Sequence, residues 1–294
     1  MRGLPILLIV TGCDLALGID QVGDGSADPC APGMPFVTGT MVDVDPAFSV
    51  EAVRFDPGQS TAYLAMVKAD NVGVFDVAKT DLYTAPFNRE THQVGGVSLL
   101  GGVSTPDYDS YPTLTADGKH IVFASRNNPG KNLRLYVASE QDGSFETPLI
   151  DELELAGPGG LANEPLTLGT SDVLYFQANQ EIVRAEGPPP SYGPAVAVGG
   201  LSSPMSDNAP VVTNSDREIF FASNRGAPTN TLPYLDIYTA TRGTPGEDFG
   251  APVRASALST DDADYPLWIS PDACDLYYVN KVGMAATLMW TTRR

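Results

Sequence analysis

The sequence predicts an all-β fold: one five-bladed β-propeller of four-stranded antiparallel blades, with the last blade completed by the N-terminal strand. Three observations carry this expectation. One hairpin pattern recurs five times. No stretch of a dozen residues holds helical periodicity. Gly (29) and Pro (25) together exceed a sixth of the 294 residues, which favours turns over long helices. With 43% hydrophobic and 18% charged residues, the chain can bury a large core and is neither a disordered polymer nor a coiled coil.

The five repeats span residues 52–65, 112–125, 165–178, 210–223 and 266–280. Each is an alternating run, a polar turn and an aromatic-rich alternating run, which together make a β-hairpin. A third apolar run follows each of them, at 73–79, 133–139, 181–186, 236–242 and 288–293. A fourth strand follows in four of the five, opened by Phe87, Phe145, Tyr192 and Phe249. The fifth copy is missing at the C-terminus and appears at 35–44, opened by Phe36. The turn markers Gly58, Gly118, Gly169, Asp216 and Asp272 recur at intervals of roughly 45 to 60 residues. Four-stranded units repeated around an axis close into a propeller, and borrowing the N-terminal strand locks the ring.

The segments 111–119 (YPTLTADGK) and 121–126 (IVFASR), with 221–226 (FASNRG) followed by Asp236-Ile237-Tyr238, resemble the TolB-type, WD-like propeller repeat of bacterial envelope proteins. The resemblance covers about 250 residues. It is best in blades 2 and 4, good in blade 5 and loose in blades 1 and 3. It implies the fold more strongly than any function, because such repeats serve scaffolds and enzymes alike.

The N-terminus reads as a sorting signal over residues 1–12. Arg2 supplies the positive charge, and Leu4 to Val10 form an apolar run too short to cross a bilayer, which takes about twenty residues. Val10-Thr11-Gly12-Cys13 resembles the lipobox of bacterial lipoproteins. The resemblance implies cleavage before Cys13, acylation of its thiol and anchoring through two or more chains. Residues 13–34, rich in Gly, Asp, Ala and Pro, read as a flexible tether, and 35–294 as the propeller. The expected location is the bacterial cell envelope, exported and lipid-anchored, on its periplasmic or extracellular face.

Charge narrows the partners. Asp and Glu number 36 against 17 Lys and Arg, a net charge of −19 that repels phosphate backbones and excludes nucleic acid as a partner. The loops entering the innermost strands carry carboxylates at Asp45, Glu51, Asp107, Asp109, Glu164, Asp207, Asp261, Asp262 and Asp264. In a propeller these loops ring one mouth of the central channel. Oxygen ligands at Asp109, Asp207 and Asp264 suit Ca²⁺ as a cofactor. A pair drawn from Asp107, Asp109, Glu164, Asp207 and Asp264 suits glycoside hydrolysis or lysis, the chemistry of five-bladed glycosidases of the arabinanase type. The structural reading is favoured: Asp109, Asp207 and Asp264 recur two or three residues before Pro112, Pro210 and Pro266, where a carboxylate closes a turn by accepting backbone N–H bonds. Arg126 and Arg225, with Lys68, Lys131 and Lys281, lie at the same end and suit either an anion site or pairing with the carboxylates.

His92 and His120 have no metal-ligand partners at useful spacing, and no Gly-x-Ser-x-Gly occurs. Trp268 and Trp290 read as core, while Tyr108, Tyr111, Tyr234 and Tyr265 near the mouth are able to stack on a sugar. With Cys13 consumed by lipid, Cys30 and Cys274 remain as a pair. Cys274 lies in the first turn of blade 5 and Cys30 just before the strand that completes that blade, so both fall at one end of it and a disulfide is expected. The function that follows is a monomeric, non-catalytic interaction module recognising an envelope protein or a glycan. The alternatives are a glycoside hydrolase or lyase and a lectin-like carbohydrate binder.

Overall fold

In a computed structural model, the described residues are 28–68, 80–105, 108–126, 133–153, 163–168, 173–226, 235–283 and 285–293. All regular structure among them is β. Strand β1 (Thr40–Met41) is first in the chain and last in the ring. Blade 1 contains β2 (Phe48–Phe55), β3 (Thr61–Lys68) and β4 (Thr80–Asn88), with β5 (Gln93–Val94) and β6 (Ser98–Leu99) both paired to β4. Blade 2 contains β7 (Asp109–Leu114), β8 (His120–Ser125), β9 (Arg134–Gln141) and β10 (Ser144–Glu152). Blade 3 contains β11 (Asn163–Leu168), β12 (Leu174–Ala178), β13 (Glu181–Ala185) and β14 (Val196–Ala197). Blade 4 contains β15 (Asp207–Val212), β16 (Glu218–Ser223), β17 (Asp236–Thr241) and β18 (Val253–Arg254). Blade 5 contains β19 (Ala263–Ile269), β20 (Asp275–Val282) and β21 (Ala285–Thr292), and β1 completes it.

The innermost strands β2, β7, β11, β15 and β19 touch their neighbours in turn, and β19 returns against β2, so the ring is closed. Second strands such as β12 (LYFQA) and β16 (EIFFAS) are buried at every position, because both faces of a blade pack against neighbouring blades. The outermost strands are only two residues long in four blades and expose Met41, Leu99, Val196 and Val253. Short edges limit pairing with other chains. Their aromatic openers lie underneath: Phe36, Phe145 and Phe249 are buried.

Every innermost strand breaks register with its partner in mid-strand: between Val50 and Ala52, Ser110 and Thr113, Asn163 and Leu166, Asn208 and Val211, and Pro266 and Trp268. Proline has no N–H for the ladder and is accommodated at such bulges, as Pro112 and Pro210 are here. The residues before them, Tyr111 and Ala209, hold the left-handed backbone at φ 50° and 51°.

Blade 1 departs from the sequence expectation. Its third strand is β4, not residues 73–79, which lie outside the described residues. Phe87 does not open a fourth strand. It sits near the end of β4, packed on Phe55 with ring centroids 4.2 Å apart, and β6 takes the outer position. Both runs alternate polar and apolar residues, and a period of two does not choose between adjacent runs.

The N-terminal segment contacts the body from Cys30 onward. Arg293, one residue past β21, donates from Nη1 to the carbonyls of Cys30 and Ala31, each at 3.1 Å. Its Nη2 reaches Glu218 of blade 4 at 2.6 Å, and both side chains are sealed from solvent. The Gly33 amide donates to the same Glu218 carboxylate, and the Arg293 guanidinium lies 4.5 Å from the centre of the Phe36 ring. Cys30 and Cys274 are joined by a disulfide with Cα atoms 4.8 Å apart. Cys13 and the sorting signal lie outside the described residues.

Candidate functional site

The channel has two mouths, and the sequence draws attention to one. At the N-terminal ends of β7, β15 and β19 stand Asp109, Asp207 and Asp264, all with 1% or less of their surface exposed. Each is engaged by a hydroxyl residue four positions earlier. Thr105 donates its amide (2.5 Å) and its hydroxyl (3.0 Å) to Asp109. The Ser203 hydroxyl donates to Asp207 at 2.9 Å. Thr260 donates its amide (2.6 Å) and its hydroxyl (3.0 Å) to Asp264. The second strand or the residues just past it supply a further donor to each: Ser125 to Asp109, Asn280 Nδ2 to Asp264 (3.1 Å), and Arg225, just past β16, to Asp207 (2.8 Å). Each carboxylate thus fastens its own entry loop to the hairpin behind it.

Burial pushes the Asp109 carboxyl up to about 6 against the opposing hydrogen bonds from Ser125 and Thr105. Burial raises Asp264 as well, opposed by Thr260 and Asn280. Among the described residues, no three His, Cys, Asp or Glu side chains gather closely enough to hold a metal ion. Asp107 lies outside the described residues, and of Glu164 only the backbone is described. Lys131 lies outside the described residues, and three of the other cations, Arg225, Lys281 and Arg126, are paired or stacked. Arg225 also donates to the Leu201 carbonyl and covers the Phe221 ring. Lys281 reaches Glu51 of the neighbouring blade at 2.5 Å. Arg126 lies over Tyr108. Both histidines are also spoken for: His92 stacks on Trp290 with centroids 3.7 Å apart and meets the Tyr277 hydroxyl, and His120 meets Ser139.

The opposite mouth, at the C-terminal ends of the innermost strands, holds a cavity of about 260 Å³ that the sequence reasoning missed. All five blades line it: Arg54 and Phe55 from blade 1, Thr113 from blade 2, Thr167 from blade 3, Val211 from blade 4 and Trp268 from blade 5. Arg54 is buried, with Nη1 donating to the Val53 carbonyl at 2.8 Å. Burial lowers its guanidinium to about 9, with Tyr111 acting in the opposite direction, so the group stays cationic at neutral pH. The available signal was simple: Arg54 is the only basic residue in the five innermost strands. Trp268, read as core, packs on Phe55 and Tyr277 and also lines this cavity.

No protein-family model and no curated protein matches the sequence. Solved structures are similar in fold. TolB from Acinetobacter baumannii matches with a TM-score of 0.52 and 12% identity, over 84% of this chain and 55% of that one. This chain therefore spans about half the length of that TolB. A candidate TolB from Agrobacterium tumefaciens matches at 0.50 and 13%, over 86% of this chain and 78% of that one. A candidate glycoside hydrolase from Bacteroides ovatus matches at 0.56 and 9%, over 90% and 98%. At these identities the likeness is one of fold alone.

Proposed function

We propose that this chain is an exported, lipid-anchored β-propeller that acts as a non-catalytic binding module of the bacterial cell envelope, with a protein or glycan as its partner. The observation that carries the non-catalytic part is the state of Asp109, Asp207 and Asp264. All three are sealed from solvent and spend their oxygens on their own blades. A general acid or nucleophile must reach the scissile bond. Export is supported by the Cys30–Cys274 pair, since disulfides persist in oxidising compartments, and by the lipobox-like run ending at Cys13.

A second reading, a glycoside hydrolase, is favoured by one observation: Asp109 is raised to about 6, as a general acid requires. The fold shared with the Bacteroides protein is compatible with it. Against it stands the complete burial of the Asp109 side chain. The anchor is tested by Cys13→Ser in a bacterial host. The expected result is an unprocessed precursor and loss of the lipidated form from detergent extracts. Equal processing and equal membrane recovery of the variant would overturn the anchor.

A further inference from the structure

We propose that the cavity at the Arg54 mouth of the channel is a binding site for a small sugar acid, a single pyranose ring carrying a carboxylate. It lies at the end of the channel opposite the buried aspartates and does not depend on their role. Four features of the cavity point to this ligand.

The first is its size and place. All five blades converge on it, and at about 260 Å³ it falls just below the range of drug-sized pockets, which start at about 300 Å³, and suits one monosaccharide. The second is its cation. Arg54 projects from an innermost strand rather than a loop, and its Nη1 is fixed to the Val53 carbonyl. A planar guanidinium pairs with a carboxylate through parallel N–H···O bonds, so the site selects for a planar anion. The third is a set of uncommitted donors. Among the described residues, neither the Thr167 hydroxyl nor the Trp268 indole N–H takes part in a hydrogen bond, although both residues line the cavity. Sugar hydroxyls are natural partners for both groups. The fourth is an apolar wall: Phe55, Val211 and Ile269 face the C–H side of a sugar ring, and Trp268 adds an aromatic surface. The one carboxylate among the lining residues, Asp56, is occupied by the amides of Gly58, Ser60 and Thr61 in its own turn.

The test is isothermal titration of the protein with glucuronate and galacturonate, with glucose and galactose as uncharged controls and N-acetylglycine as a carboxylate without a sugar. The expected result is saturable binding of at least one uronate and none of the controls. Arg54→Gln should weaken that binding by about tenfold or more, the share of one charge-assisted pair. Because Arg54 is buried, Thr167→Val and Trp268→Phe serve as milder variants, each weakening binding several-fold. Thr167→Val keeps the side-chain volume and should leave the melting temperature unchanged. Trp268→Phe should stay folded with a somewhat lower one, because the Trp268 ring packs on Phe55 and Tyr277. Absence of uronate binding at millimolar concentration would overturn the proposal. So would equal binding of the neutral sugars, binding of N-acetylglycine alone, or unchanged affinity in a folded Arg54→Gln. If Arg54→Gln does not fold, unchanged affinity in both milder variants has the same force.

Discussion

Replacing Cys30 and Cys274 together by serine opens the covalent join between the two chain ends. The two cysteines are 244 residues apart in sequence, and the chain-entropy relation for a loop of that length gives about 5 kcal/mol. Nearly all of that acts on the unfolded chain. In the folded state the N-terminal segment keeps its other fastenings: the Arg293 bonds to Cys30 and Ala31, the Gly33 bond to Glu218, and the pairing of β1 with β21. The variant should therefore fold to the same ring with the same circular dichroism. In equilibrium urea unfolding, with a slope near 3 kcal/mol/M for a chain of this size, its midpoint should fall by roughly 1.5–2 M. A shift below about 0.3 M, worth less than 1 kcal/mol, would refute the reasoning, because the bond would then not restrict the unfolded chain.

Two further outcomes follow from buried charge. Arg293→Met leaves Glu218 charged in a sealed site and should cost about 3–5 kcal/mol, of which Arg293→Met with Glu218→Gln recovers a substantial part, as read by thermal unfolding. For Asp109, burial raises the folded pKa to about 6, so its contribution to stability is full below the ordinary carboxylate pKa near 4 and is lost as pH rises through 6. Between pH 4 and 7 the wild type should therefore lose up to about 3 kcal/mol relative to Asp109→Asn. Parallel pH–melting curves for the two proteins would contradict this shift.

The hairpins were legible because the period-two pattern, the polar turns and the aromatic second strands coincide in each repeat. The closure of blade 5 was legible because one outer strand was missing at one end of the chain and present at the other. The outer strands were less so. In four blades only two residues pair, and the buried opener, such as Phe249, carries the signal rather than the strand itself. In blade 1 two adjacent alternating runs competed, and Phe87 was assigned to the wrong strand. Recurrence of Asp109, Asp207 and Asp264 with the repeat pointed to structural carboxylates. The partner pattern, Thr105, Ser203 and Thr260 each four residues earlier, was present in the sequence and went unread. The Arg54 cavity was not legible, because its lining comes from strand ends that only ring closure brings together. The Arg293–Glu218 bond likewise joins residues 75 apart in sequence, beyond any local pattern.

The most direct test of the non-catalytic account is mass spectrometry of envelope oligosaccharides incubated with the wild-type protein and with Asp109→Asn/Asp207→Asn. The account predicts unchanged oligosaccharide masses with both proteins and a lower melting temperature for the variant, whose entry loops lose their fastenings. New fragment masses produced by the wild type and absent with a folded variant would contradict it and make those carboxylates catalytic.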